Sequence, residues 1–503
     1  VRAAWHRTVP GGAGIGKAIC VGEGYRRRMV RAASGFGRSL SASERWFWLI
    51  DRLSPANCGA RVRVHGRVTG EAVEAGARAL VAEYPLLRMG VVDDCGRNPR
   101  LVPLESPEVV WRTVTSGSDD AWIREIDAEM RTPFDVSKGL ARVVDVAVHA
   151  GTEDEYHDII LTVSHIIMDG RSLMALLRKL IDPERPVRER NPMRPADDLI
   201  PGEARGMRRY LALNMSDQVT AVVTRPIRLA TPYPMELQER RTRVITRVVD
   251  REALAEWTSD CRRAGVTVHA LLVAAVASAI GRVNGVPSGI AGIGSPVDFR
   301  ARLRPPPEPD EPGIYAPVLI GFVPFGSEVS LWSAARKAKR GLASAIRRDR
   351  HLTTVAGMRF VTPRDARAGE RMARMVDRRA PWNVSVTNLG RVEFPDATGG
   401  QRLSGLVMAA SNSCVSVLTV AVTTAHDEMR LAFCYVDAML PPQRVTEFAD
   451  TVLTVLRERP SAEPALHQRA QRRPIRLARP AAHGNLRDQH DIVRQRGNID
   501  ERG

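Results

Sequence analysis

In the stretch LTVSHIIMDGRSL, residues 161–173, one histidine stands between a run of β-branched and aliphatic residues and an Asp-Gly pair. A neutral imidazole, with a pKa of about 6.5, accepts a proton at neutral pH. His165 is therefore a candidate general base for activating a hydroxyl or an amine toward a thioester. Proton removal of this kind contributes typically about 10² to 10⁴ in rate, and donors to a developing oxyanion must supply more. The competing reading of one histidine four residues before Asp-Gly is a hydrogen-bonded core histidine beside a turn.

Two periodicities position this group. If residues 157–165 are extended, His157, Ile159, Leu161, Val163 and His165 share one face and Ser164 points to the other. Leu173, Leu176, Leu177 and Leu180 fall at i, i+3, i+4 and i+7 and predict a helix that begins near Gly170. Asp169 then stands near its N-cap, and a helix N-terminus nearby disfavours the imidazolium form.

Around this centre the chain alternates strand and helix. LSASERWFWLIDRL (40–53) reads as a helix or entry loop, RVRVHGRV (61–68) as a strand, and Val73, Ala77, Leu80, Val81 and Tyr84 as one face of a helix that Pro85 ends. EVVWRTVT, a helical AWIREIDAEM and two strands joined by GTEDE complete a first half, 38–181. The segment 182–206, dense in Pro and charge, reads as a linker. A second half, 207–458, repeats the mixed theme: a strand at 241–250, a helix from Arg251, a buried helix within 264–281, a strand near GIAGIGSPVDFR, the Pro-rich RPPPEPDEPG loop, a strand NVSVTNLG, paired strands around 403–436 and a last helix from 441. The expected class is α/β with mixed sheets. The two uncharged stretches, 264–281 and 403–425, read as a core helix and as two strands joined by a turn, so no transmembrane segment is expected.

The formal charge of +17 raises nucleic acid as a partner, but 11 of these charges lie in the two ends. A basic extension, 1–37, and a basic tail, 459–503, are expected to be disordered, and no nucleic-acid binding is assigned. Met29 is a candidate start. Six cysteines without C-x-x-C pairs indicate neither a metal site nor a disulfide framework, which fits a cytoplasmic protein.

SHIIMDG resembles the HHxxxDG motif shared by condensation domains of nonribosomal peptide synthetases, phthiocerol dimycocerosyltransferase-like acyltransferases, wax ester synthases and, more distantly, chloramphenicol acetyltransferase. LSASERWFWLIDRL, the turn Tyr84-Pro85-Leu86-Leu87-Arg88, PVDFRARLRPP and VSVTNLGRV are similar to further stretches of the same family, and the likeness covers roughly residues 38–458. It implies two chloramphenicol-acetyltransferase-like halves with an active site in a channel between them. It implies that His165 is the base and that Asp169 is structural, paired with an arginine of the second half. Arg300 is favoured by motif position and Arg302 competes, with Asp298, Arg300 and Arg302 read as one strand face. Gly170 is expected to allow the turn and the approach of a pantetheine-like arm. Asn388 and Gly390 are expected to border the channel, a capped strand end being the alternative. The departure from the family pattern is Ser164, which stands where the first histidine is usual.

The resemblance implies an acyltransferase that moves an acyl group from coenzyme A or an acyl carrier protein's phosphopantetheine to an alcohol, less readily an amine, with no bound cofactor and no metal. The chain is expected to act as a monomer. An amide-forming condensation domain and a catalytically impaired docking module are the alternatives.

Overall fold

The computed structural model describes residues 37–460 apart from Pro183, Met193, Ser413 and Val415. The expected basic extension and tail lie, but for their innermost residues, outside the described residues. The first half runs α1 (Ala42–Asp51), β1 (Asn57–His65), α2 (Gly70–Glu83), β2 (Met89–Val92), β3 (Arg100–Pro103), β4 (Val110–Ser116), α3 (Ala121–Arg131), β5 (Ala141–Val148), β6 (Tyr156–Ser164) and α4 (Gly170–Leu180). The α1 helix begins because Ser41 and Glu44 form a capping box: the Ser41 hydroxyl accepts from the Glu44 N–H while the Glu44 carboxylate accepts from the Ser41 N–H at 2.7 Å.

After the connecting segment come α5 (Met207–Thr224), β7 (Thr242–Val249), α6 (Arg251–Ala264), α7 (Val268–Val283), β8 (Ser288–Pro296), β9 (Val318–Gly326), α8 (Leu331–Arg347), α9 (Arg350–Val361), α10 (Ala366–Arg379), β10 (Val384–Arg391), β11 (Gln401–Ala410), β12 (Leu418–Ala425), β13 (Glu428–Val436) and α11 (Pro442–Arg457). The strands build two six-stranded mixed sheets and a three-stranded antiparallel one of Arg38–Ser39, β3 and β2. In the second six-stranded sheet the order is β9-β8-β10-β12-β13-β7, with β10 parallel to both β8 and β12 and the other pairs antiparallel.

The first sheet runs from the two-residue strand Ala397–Thr398 through β11, β1, β6 and β5 to β4. Its member β11 comes from the second half of the sequence and pairs antiparallel with β1, Met408 opposite Ala60. The stretch 403–425 therefore forms two strands as expected, but they do not pair with each other: β11 joins the first sheet and β12 the second. The apolar run is long enough for both strands, and sequence spacing carries no mark of which sheet each edge will meet.

All nine residues of β6 are buried, as befits a strand flanked on both edges by β1 and β5 and covered on its faces. Eleven of the sixteen residues of helix α7 are buried, which its Ala-rich composition permits at close approach. Among the described residues no single helix is long and apolar enough to cross a membrane.

The segment read as a linker is anchored at two places, although most of its described residues are exposed. Ala196, Leu199, Ile200 and Ala204 bury against Phe299, Leu303, Tyr315, Leu352 and Val355. Arg185 and Arg190 join Lys179 around the buried Glu83 carboxylate, and Arg190 also reaches Asp310 at 2.7 Å. Its charges thus tie α2 and α4 to the Pro-rich loop of the second half. Cys58, Cys261, Cys414 and Cys434 are free.

Candidate active site

The backbone leaving β6 is held on both sides. Ser164 N–H donates to the Leu140 carbonyl at 2.9 Å and His165 N–H to the Ala56 carbonyl at 2.8 Å. The chain then turns, and Asp169 N–H donates to Gly313 of the Pro-rich loop at 2.9 Å. The imidazole sits inside this turn, its Nδ1 2.8 Å from the Met168 carbonyl oxygen. A carbonyl can only accept, so Nδ1 carries the hydrogen and Nε2 presents its lone pair. Phe47 of α1 stacks on the ring, with centroids 3.9 Å apart and planes 22° from parallel. Burial lowers the His165 pKa below the ordinary histidine value, and the nearby Asp169 charge only partly opposes this. The ring is not sealed, since His165 is only partly buried. The imidazole is neutral and of fixed tautomer at pH 7.

Ser164 is fully buried at the end of β6. It faces Asn57 of β1 in register, and Asn57 donates to the Glu129 and Thr132 carbonyls at the end of α3, both at 2.8 Å. β6 ends at Ser164 and His165 lies in the turn beyond it, so the alternation expected over 157–165 stops one residue short; the two residues are set apart because Ser164 lies opposite Asn57 while the His165 ring stacks on Phe47.

Asp169 caps α4, accepting from Ser172 N–H at 3.0 Å. The same oxygen, Oδ1, accepts from Arg300 Nη2 at 2.9 Å, and Oδ2 accepts from Tyr315 N–H at 2.9 Å. Burial alone would raise this carboxyl, but the Arg300 charge and these hydrogen bonds outweigh it and hold the group below the usual carboxylate range. Arg300 is itself 9% exposed, donates to Asp298 at 2.9 Å and lies 4.1 Å over the Tyr315 ring. The Asp169–Arg300 pair thus joins the two halves of the sequence directly behind the histidine turn.

Arg300 is the right partner for a reason other than strand alternation. Residues 300–302 form a short 3₁₀ turn beyond β8, so Asp298, Arg300 and Arg302 do not share a strand face. Arg302 instead pairs with Asp349 at 2.7 Å on an exposed surface.

A Cβ on Gly170 would lie 2.3 Å from the Met408 sulfur and 3.7 Å from Leu389. A side chain at Gly170 would thus displace the end of the Met408 side chain of β11. Asn388 and Gly390 form a local cap: Asn388 Oδ1 accepts from the Gly390 N–H at 2.8 Å where the β10–β12 register shifts, and Gly390 has φ of 72°. The capped strand end is therefore what the geometry supports at these two positions, and Leu389 between them is the residue that reaches the motif.

Several residues escaped the sequence reading. Ser172 Oγ accepts from Arg300 Nη2 at 2.8 Å and from Gly313 N–H at 3.2 Å. Its place three residues after a capping aspartate was the available signal. Phe47, Tyr315 and Met408 come from distant segments and left none. Among the described residues no group of three His, Cys, Asp or Glu is placed to hold a metal ion.

Comparison with known proteins follows the same division. Residues 49–190 match the condensation domain family model, and residues 240–437 match that of the phthiocerol/phthiodiolone dimycocerosyl transferase C-terminus. A linear gramicidin synthase polypeptide of Brevibacillus parabrevis is 27% identical over 154 residues, which are 28% of this chain and 3% of that protein. The chain therefore spans a small part of that relative's length. Among solved structures, the first condensation domain of the calcium-dependent antibiotic synthetase, in complex with a substrate analogue, superposes with a TM-score of 0.65 at 16% identity, over 86% of this chain and 98% of that one. Polyketide synthase associated protein 5 from Mycobacterium tuberculosis gives 0.59 at 14% identity, over 84% and 98%. At such identities the two structures speak for the fold.

Proposed function

Since the chain belongs to the condensation-domain and phthiocerol dimycocerosyltransferase-like family of acyl-transferring proteins of natural-product and lipid biosynthesis, we propose that it esterifies an alcohol with an acyl group drawn from a thioester, using His165 as general base. The observation that carries this reading is the Nδ1–H donated to the Met168 carbonyl, which leaves Nε2 free to accept a proton. Nε2 takes the hydroxyl proton as the alcohol oxygen bonds to the thioester carbonyl carbon. The tetrahedral intermediate then collapses, the C–S bond breaks, and the imidazolium returns its proton to the departing thiolate.

In this account Asp169 and Arg300 touch no substrate and fix the turn that aims the imidazole. The donor is coenzyme A or the phosphopantetheine of an acyl carrier protein, and an Arg-rich surface suits the phosphates of either. A hydroxyl acceptor is favoured because the half that supplies Arg300 matches a transferase named for phthiocerol, an alcohol. The match to a peptide synthetase favours the amide as the second reading.

The two separate in an assay of acyl-coenzyme A and acyl-carrier donors against alcohols and amines, read by intact product mass. Ester formation with at least one alcohol is expected. Amide products alone would replace ester synthesis with condensation.

A further inference from the structure

Helix α5 is unlike the other long helices: none of its 18 residues is buried. It is anchored on one side only. The Tyr210 ring fills the space a Cβ would need at Gly357 of α9, and Asp217 pairs with Arg350 of the same helix. On the other side Leu211, Met215, Val219, Val222 and Val223 are between 50% and 76% exposed. Their spacings of four, four, three and one place them along one stripe of the helix. Scattered exposed aliphatic residues need no explanation, but a contiguous row on a single element marks a surface that is covered in use.

Charge decides between the covers. The helix's one acidic residue, Asp217, is turned inward to Arg350. Arg208 stands at one end of the stripe and Arg225 at the other, both exposed, and among the described residues neither makes an ion pair. A second copy packing its own α5 antiparallel about a two-fold axis would bring Arg208 of each copy against Arg225 of the other, an uncompensated repulsion. A surface that is apolar beneath and anionic above satisfies both features together.

We propose that α5 lies flat on an anionic lipid surface, with the aliphatic stripe at the acyl boundary and Arg208 and Arg225 on headgroup phosphates. The test is sedimentation of the full chain with vesicles of phosphatidylglycerol and phosphatidylcholine, beside vesicles of phosphatidylcholine alone. Retention on the anionic vesicles is expected to weaken about tenfold or more in the double variant Met215→Glu, Val222→Glu, because two carboxylates would enter the boundary. It should also fall in Arg208→Gln, Arg225→Gln, which leaves the stripe intact, and stay unchanged in Val110→Glu, at an exposed valine elsewhere. Unaltered melting curves will show that the variants are folded. Absence of retention, equal retention on neutral vesicles, or retention indifferent to both double variants, as the basic ends of the chain would produce, overturns the proposal. So does concentration-dependent self-association without vesicles that the Met215→Glu, Val222→Glu variant abolishes.

Discussion

In the sheet that ends at His165, Arg61 and Asp158 pair at 2% and 0% side-chain exposure, and on the next position of β6 His157 lies between Asp145 at 2.7 Å and Glu155 at 3.2 Å. In the sheet whose strand β8 leads to Arg300, the comparable interior is Val384, Val386, Val420, Val422, Leu431 and Phe433. Hydrocarbon packing gives more stability than buried ion pairs of the same volume, while a pair that loses one member is strongly destabilised. The second sheet therefore reads as a scaffold that contributes one cation to the site. The first holds the strand that leads to His165 in alignment by charge.

The largest effects should come from breaking each interior in its own way. Asp158→Ala leaves Arg61 buried without its carboxylate, and Phe433→Ala leaves a cavity; each is expected to cost about 3 to 5 kcal/mol in denaturant unfolding. The contrast lies in repair: Arg61→Met with Asp158→Leu should recover most of the stability while slowing acyl transfer. If the repaired variant transfers at the wild-type rate, charge does not align the strand.

The contact between the halves gives the next test. Arg300→Met strands Asp169 and is expected to cost about 3 to 5 kcal/mol and most of the activity, whereas Arg302→Met should stay within about 0.5 kcal/mol. Equal effects in thermal melts would mean that the Asp169–Arg300 clasp is not what joins the halves.

Ser164→His probes the first sheet alone. The site is fully buried beneath α3, so an imidazole there should overpack it by about 1 to 3 kcal/mol, with transfer changed by less than about threefold because His165 faces away. A large gain in rate would show instead that the usual motif histidine acts on the substrate.

The smallest effect is at Asp51, on the helix that carries Phe47. Burial raises its carboxyl to about 6, against the hydrogen bond from Ala56 N–H. Its folded value thus lies above its unfolded one of about 3.9. The stability it contributes is present below pH 4 and is lost as pH rises through 6. Asp51→Asn keeps the acceptor and removes the charge, so it should stabilise by about 1 to 2 kcal/mol at pH 8 and not at pH 4, as paired melts would show.

Local chemistry was legible in the sequence and long-range approach was not. Periodicity and caps located β6 and the start of α4, because each depends on residues within one turn or one pleat, but the strand stops at Ser164 and alternation does not extend to His165. Arg300 was found by motif position, while the strand geometry invoked for it was absent. Helices α5, α8, α9 and α10 went unread: α5 hides its apolar stripe from the core, and Ala366–Arg379 buries only Gly369 and Ala373. The departure of β11 into the first sheet, the Met408 contact at Gly170 and the Phe47 stack all join residues more than a hundred positions apart, and no local pattern encodes such meetings.

The central claim is that His165 removes the acceptor's proton. It is tested most directly by single-turnover transfer from an acyl thioester in His165→Ala, with the melting curve recorded on the same sample. A loss of about 10² to 10⁴ in rate with the fold intact is the predicted result. An unchanged rate in the folded variant would contradict it.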